Sequence, residues 1–254
     1  MPVTTEPTLR DRVAVLTGAV RRSGRAVALA LVEDGATVVI NTRASRSEAD
    51  ALAQEIRARG GRVLVHIADI TREAEVETMF QRIDAELGRV DILVNNAADR
   101  QQVPFLQMSY AQWRHITSII LDGAFLCSRA ALERMATGGF GRIVNLSGIG
   151  HHLGFRERAH VHAGKAGLEG LSRALALEFA GHDITVNCVA PGKIGGVRPA
   201  SAGTTPPGVA EVVPPVGRDG IPADVAAAVR FLCQPSSSFI TGQTVHVNGG
   251  MFLT

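Results

Sequence analysis

Cysteine, tyrosine and charge of one sign are all scarce in this chain. Its three cysteines among 254 residues, Cys127, Cys188 and Cys233, are odd in number, far apart and set in apolar runs. That excludes a disulfide framework or a paired metal motif and leaves buried thiols of a reducing compartment. The formal net charge of +2 argues neither way on nucleic acid. No dense Lys/Arg block of the kind that tracks phosphates is present, however, so no nucleic-acid partner is expected. The opening residues MPVTTEPTLRDR hold no apolar leader core, and no apolar run approaches the length of a membrane span. The expectation is a cytoplasmic protein with no membrane partner. The single tyrosine, Tyr110, opens a long helical pattern, where packing or an interface is its simpler use.

What is present is 46% hydrophobic and 20% charged, the composition of an ordinary globular protein. Short β-branched runs at 12–17, 36–41, 62–67, 90–96, 141–147, 184–190 and 244–248 alternate with helical patterns. The helical patterns lie at about 24–34, 46–59, 72–87, 109–135, 160–180 and 222–233. Near-continuous apolar strands separated by helices predict a parallel sheet covered on both faces. The expected fold class is α/β, a Rossmann-type, doubly wound, seven-stranded parallel sheet with helices on both faces. Ligands of such a sheet bind beyond the carboxyl ends of its strands. A fold of this size is routinely a single domain, here 1–254 with 1–10 as an N-terminal extension. The Gly- and Pro-rich region 193–220 breaks the alternation, and too little chain follows it for a second domain. It reads as a lid over a substrate pocket.

The segment VLTGAVRRSGRAVALAL runs from the first strand through a glycine turn into the first helix. Gly18 allows the tight turn, and Gly24 lets the helix start pack close to the sheet and to a phosphate group. The amides of that first turn, aided by the helix dipole, then face an anion. The arginines of VRRSGR at 20–25 suggest a small anionic ligand too. Thr17, Gly18 and Gly24 in this setting resemble the turn of the short-chain dehydrogenases/reductases, and the resemblance runs from Arg12 to the C-terminus. Arg22 stands at the family's middle glycine, as in its pteridine reductases, where the arginine lies between cofactor pyrophosphate and substrate. Asp69, followed by Ile70, resembles the acid that holds the adenine. NNAA at 95–98 resembles an Asn-Asn-Ala-Gly segment with Ala98 for the glycine. PGKI at 191–194 resembles the Pro-Gly segment on the nicotinamide, and TGQTVHVNGG at 241–250 resembles the last strand and its tail. The resemblance therefore implies a dinucleotide held by Gly18, Arg21, Arg22, Ser23, Gly24, Asp69, Ile70, Asn96, Ala97, Ala98, Lys165, Pro191, Gly192 and Ile194.

The second strand bears on which dinucleotide it is. Members that prefer NAD usually carry an Asp there, which accepts from the ribose hydroxyls and would repel a 2′-phosphate. Here the position is Thr42, followed by Arg43, with Ser45 nearby. Arg21 can converge on the same point, and two guanidiniums with hydroxyl donors suit a dianion. NADP(H) is the expected cofactor.

The usual family mechanism needs a tyrosine, a lysine four positions later on the same helix face, a serine and an asparagine. Lys165 matches the lysine, and by resemblance it grips the nicotinamide ribose. The tyrosine position is Val161, the serine position is Gly148 with Ser147 beside it, and the asparagine position is Ile120. The nucleotide half is thus largely intact and the acid–base half is not. Four histidines fall in HHLGFRERAHVH (151–162): His151, His152, His160 and His162. Imidazole titrates near neutrality, so the catalytic candidates are Lys165, Ser147, His162 and His152. No matching carboxylate or cysteine pattern accompanies the histidines, and no metal site is expected.

Three readings stay open. One is an NADPH-dependent oxidoreductase acting on a small carbonyl, imine or conjugated substrate with a non-standard proton donor. The second is a catalytically silent NADP(H)-binding sensor or partner subunit, and the third a non-redox isomerase or lyase. Arg22, Arg100 and Arg156 hint at a polar or anionic substrate. By resemblance, the helices around 109–135 and 160–180 pair across an interface, implying a homodimer or homotetramer.

Overall fold

The computed structural model describes residues 8–196 and 212–254. Residues 1–7 of the expected extension and 197–211 of the expected lid lie outside the described residues.

Seven strands form one sheet: β1 (Val13–Thr17), β2 (Thr37–Thr42), β3 (Val63–Ile67), β4 (Ile92–Asn95), β5 (Gly141–Leu146), β6 (Ile184–Pro191) and β7 (Thr244–Val247). All pairings are parallel, in the order β3-β2-β1-β4-β5-β6-β7. The helices are α1 (Arg22–Glu33), α2 (Arg46–Ala58), α3 (Glu73–Leu87), α4 (Tyr110–Thr117), α5 (Gly123–Gly138), α6 (Gly150–Leu153), α7 (Ala159–Phe179) and α8 (Pro222–Cys233). This is the expected α/β architecture.

The strands are apolar throughout because both faces are covered. Alternate side chains point to opposite faces. Ala14 and Leu16 of β1 therefore join one core with α1 and α8, while Val13 and Val15 join the other with α3 and α5. Each fully buried Val or Leu contributes about 1.5–3 kcal/mol. The strand order reverses between β1 and β4, which is where such sheets open a crevice.

The helix expected over 109–135 is a continuous run to Gly138, interrupted by a five-residue π segment, Ser118–Asp122. Its start is a capping box: Ser109 Oγ accepts from Gln112 N at 3.2 Å, and Ser109 N donates to Gln112 Oε1 at 2.9 Å. The π insertion, a feature concentrated at functional sites, leaves Ile120 buried. The run Tyr110–Gly138 is long and apolar enough to cross a membrane by length and composition, contrary to the expectation above. Half of its most apolar window is buried, and Cys127, Ala131, Leu132 and Met135 pack into the second core.

At the crevice the backbones come unusually close. A Cβ on Gly24 would stand 2.6 Å from Gly18 O and 2.7 Å from Asn96 Nδ2. Gly18 has φ +62°, and a Cβ there would meet Ala97 Cα at 2.8 Å. The Asn96 side chain donates to Gly18 O at 2.7 Å and to Thr17 O at 3.1 Å. Thr17 Oγ1 accepts from the amides of Asn96 and Ala97, both at 3.1 Å. Behind them Asn95 Nδ2 donates to Asn145 Oδ1 at 2.8 Å, and Asn145 Nδ2 to Ser172 Oγ at 2.7 Å. This buried chain ties the ends of β4 and β5 to α7. Overpacking such a contact costs about 1–3 kcal/mol. Gly24→Ala is therefore expected to lower folding stability by about that amount in urea denaturation; an unchanged midpoint would contradict the close approach.

Candidate functional site

A cleft of about 340 Å³ runs over the carboxyl ends of β1, β2 and β4. It is lined by Gly18, Arg21, Arg22, Ser23, Thr42, Arg43, Ser45, Asp69, Ile70, Asn96, Ala97 and Ala98. A second pocket of about 140 Å³ adjoins it, sharing Arg22, Ser23, Asn96 and Arg100. That pocket is lined by Ser147, His151, Val161, His162, Lys165, Pro191, Gly192 and Ile194. Of the expected dinucleotide set, only Gly24 lines neither, because it is packed beneath the turn. Arg156 is exposed and lines neither cavity; Tyr110 is exposed at the start of α4.

The donor set fits an anionic dinucleotide. The first turn of α1 has no acidic residue and no side-chain cap among the described residues. Its amides, which have no intrahelical acceptors, therefore suit a pyrophosphate. Asp69 Oδ1 accepts from Thr71 N at 3.0 Å and Thr71 Oγ1 at 2.7 Å. Burial raises the Asp69 pKa, but these hydrogen bonds outweigh it and hold the carboxyl below its usual range.

Two arginines behave differently from expectation. Arg21 does line the cleft, yet its guanidinium is paired side-on with Glu48, Nε to Oε1 at 2.8 Å and Nη2 to Oε2 at 2.6 Å. Both partners are exposed, so the pair is worth little and is open to exchange. Glu48 sits in the first turn of α2, a neighbour that sequence order alone did not bring to Arg21. Arg22 adopts φ +47°, the left-handed backbone that the family's glycine takes freely, at a cost of about 1–2 kcal/mol. Its guanidinium donates to the carbonyls of Ile194 at 2.8 Å, Gly195 at 3.2 Å and Gly196 at 2.9 Å. Arg22 thus lines both cavities and straps the segment after β6. The two described ends of region 193–220 are clasped together: Gly195 N donates to Gly220 O at 2.7 Å, Gly220 N to Lys193 O at 2.9 Å, and Lys193 pairs with Asp219 at 3.1 Å.

Lys165 is buried in the wall of the smaller pocket, and its Nζ donates to Leu146 O. Burial, with the nearby Arg100 charge, lowers its pKa from 10.5 to about 7. One turn earlier, Val161 packs with Ile116, Ile120, Ala124 and Leu168 in a small apolar cluster. Gly164 makes room for this: a Cβ there would stand 3.1 Å from Ile120.

Among the other catalytic candidates, Ser147 Oγ donates to Glu169 Oε1 at 2.7 Å, both residues buried. His162 is half-buried edge-on to Phe155, and burial lowers its pKa. His152 does not line the pocket described; it stacks on Phe252 with centroids 4.7 Å apart, and His151 faces the pocket instead. Consecutive residues on the single turn of α6 diverge by about 100°, so one imidazole of the pair faces inward. The absence of a carboxylate near the histidines does not survive folding. Glu169 Oε1 lies 3.1 Å from His151 Nε2 and 3.5 Å from His152 Nε2. Glu169 comes from α7, four residues after Lys165 and on the same face, which was the available signal. Burial opposes its charge, but the contacts from His151 and Ser147 outweigh that and lower its pKa to about 2.

Residues 18–252 match a family model described as enoyl-(acyl carrier protein) reductase. The chain is 36% identical to a 3-oxoacyl-(acyl-carrier-protein) reductase of Synechocystis sp. over 96% of its own length and 98% of the relative's. It is 35% identical to the corresponding reductase of Staphylococcus epidermidis, over 96% and 100%, and 37% identical to that of Aquifex aeolicus, over 96% and 98%. The full-length match, on a sheet of this order with its cleft at the strand reversal, makes the chain a member of the short-chain dehydrogenase/reductase family of oxidoreductases.

Proposed function

We propose that the protein is an NADP(H)-dependent reductase of a small carbonyl, imine or conjugated substrate, in which Lys165 stands in for the missing phenol as the proton-holding group. The observation that carries this reading is a buried lysine with a pKa of about 7 in the wall of a small pocket that adjoins an anion-suited cleft. When bound, the dinucleotide supplies the hydride. The first-turn amides of α1 hold the pyrophosphate, Asp69 the adenine side, and Arg43 with Thr42 and Ser45 the 2′-phosphate. Lys165 holds the nicotinamide ribose and, near neutrality, a proton at Nζ beside the pocket. Substrate enters against Ser147, Val161 and His162. The exposed Phe125 and Leu177 on α5 and α7 support pairing of those helices in a homodimer or homotetramer, and the cytoplasm is the compartment we assign.

A charge-assisted contact is worth about 1.5–3 kcal/mol, roughly tenfold or more in affinity. NADPH is therefore expected to bind at least about tenfold more tightly than NADH in fluorescence titration. Arg43→Ala is expected to erase that preference while leaving NADH binding intact. Equal dissociation constants for the two dinucleotides in the natural protein would refute the 2′-phosphate assignment.

The packing of Ile120 against Val161 favours one rival, a silent dinucleotide binder. NADPH consumption against ketones, imines, enones and pterins separates the two. Turnover by the natural protein is expected; turnover only by Val161→Tyr would establish the rival.

Lys165 and Lys193 are the only lysines, so ¹³C NMR of protein labelled at lysine Cε reads Lys165 directly. A midpoint near pH 7 is expected for Lys165, and one near 10.5 for this residue would contradict the burial argument. The unfolded lysine keeps its proton up to about 10.5 while the folded one loses it near 7. Stability from this group is therefore fully present above the unfolded value and is lost as pH falls through that window to 7.

A further inference from the structure

We propose that His151, His152 and Glu169 form a binding site for a divalent transition-metal ion of the zinc class, beside Ser147 in the wall of the smaller pocket. The argument begins with spacing. Zinc held tetrahedrally at about 2.0–2.1 Å by nitrogen and oxygen needs ligand atoms roughly 3.3 Å apart. Glu169 Oε1 lies 3.1 Å from His151 Nε2 and 3.5 Å from His152 Nε2, and the three ligand atoms all fall within 4.8 Å of one another.

The second observation is independent of spacing. The His151 side chain is 7% exposed, and neither of its ring nitrogens has a hydrogen-bond partner among the described residues. Its Nε2 faces the carboxylate at ion-pair distance without the alignment of a hydrogen bond. Buried polar nitrogens are normally satisfied, and an ion between imidazole and carboxylate would satisfy this one.

The surroundings are those of a supported ligand set. Glu169 is itself 6% exposed, and the Ser147 hydroxyl donates to the oxygen that would ligate, leaving that oxygen's second lone pair for the ion. An outer hydrogen bond of this kind fixes a ligand's orientation. Beyond His152 lies His246, with ring centroids 5.1 Å apart and a buried Nδ1 that also has no partner among the described residues. Arg173 opposes a cation from 4.0 Å on Oε2, but its side chain is 61% exposed and solvent screens it. Two imidazoles and one carboxylate suit zinc and its neighbours rather than magnesium or calcium, which require mainly oxygen. Three protein ligands leave one position for water or another donor.

None of the three ligands lines the dinucleotide cleft, so this proposal stands or falls apart from the reading above. The whole chain, stripped with a chelator and free of dinucleotide, is dialysed against zinc and its metal measured by mass spectrometry. Cobalt substitution then reports the coordination. One zinc per chain and the visible absorption of four-coordinate cobalt are expected. His152→Ala, at a partly exposed position, and Glu169→Gln are each expected to weaken zinc binding by about 100-fold or more. His182→Ala, on the far exposed turn, is expected to change nothing, and circular dichroism verifies that each variant folds. Less than one equivalent at micromolar zinc, six-coordinate cobalt, or wild-type affinity in His152→Ala would each overturn the site.

Discussion

Where β1 and β4 lie side by side, the chain leaves them toward opposite faces, and the crevice between is held to shape by very few atoms. Thr17 Oγ1 gathers two amides from the loop after β4, and Asn96 returns two hydrogen bonds to the glycine turn. Every feature of the cleft depends on that clasp. It sets the start of α1, with its uncapped amides, against the backbone at Ala97, and it brings the second cavity within reach of the first. Glycine at 18 and 24 is required by distance, not by habit of sequence, since any side chain would collide with the opposing loop.

Much of this was legible beforehand. Apolar runs alternating with amphipathic ones name a parallel sheet, because only strands covered on both faces can be apolar at every position. The strands fell within about two residues of expectation, and all but one of the cleft residues named from the sequence line a cavity. The misses share one physical origin: they are contacts between segments distant in sequence. Glu48 reaches Arg21 from the next helix, Glu169 reaches His151 and His152 from α7, and Arg22 reaches carbonyls beyond β6. The π segment was invisible for another reason, since its residues SIILD carry no pattern that distinguishes one extra residue per turn from an ordinary helix.

The surroundings of Lys165 divide into an apolar part and a polar part. Around Lys165, the positions one turn back and across on the π segment are Val161 and Ile120, packed together in an apolar cluster. Ser147, Glu169, His151 and His152 form a separate polar cluster. Burial dehydrates the Lys165 ammonium and lowers its pKa to about 7.

The most direct measurement is a crystal structure of the protein grown with NADPH. The account predicts the dinucleotide along the cleft, its pyrophosphate on the amides of residues 22–24, its 2′-phosphate within hydrogen-bond distance of Arg43, and its nicotinamide ribose on Lys165 Nζ. A cleft without the dinucleotide at saturating concentration, or the dinucleotide bound elsewhere on the chain, would contradict it.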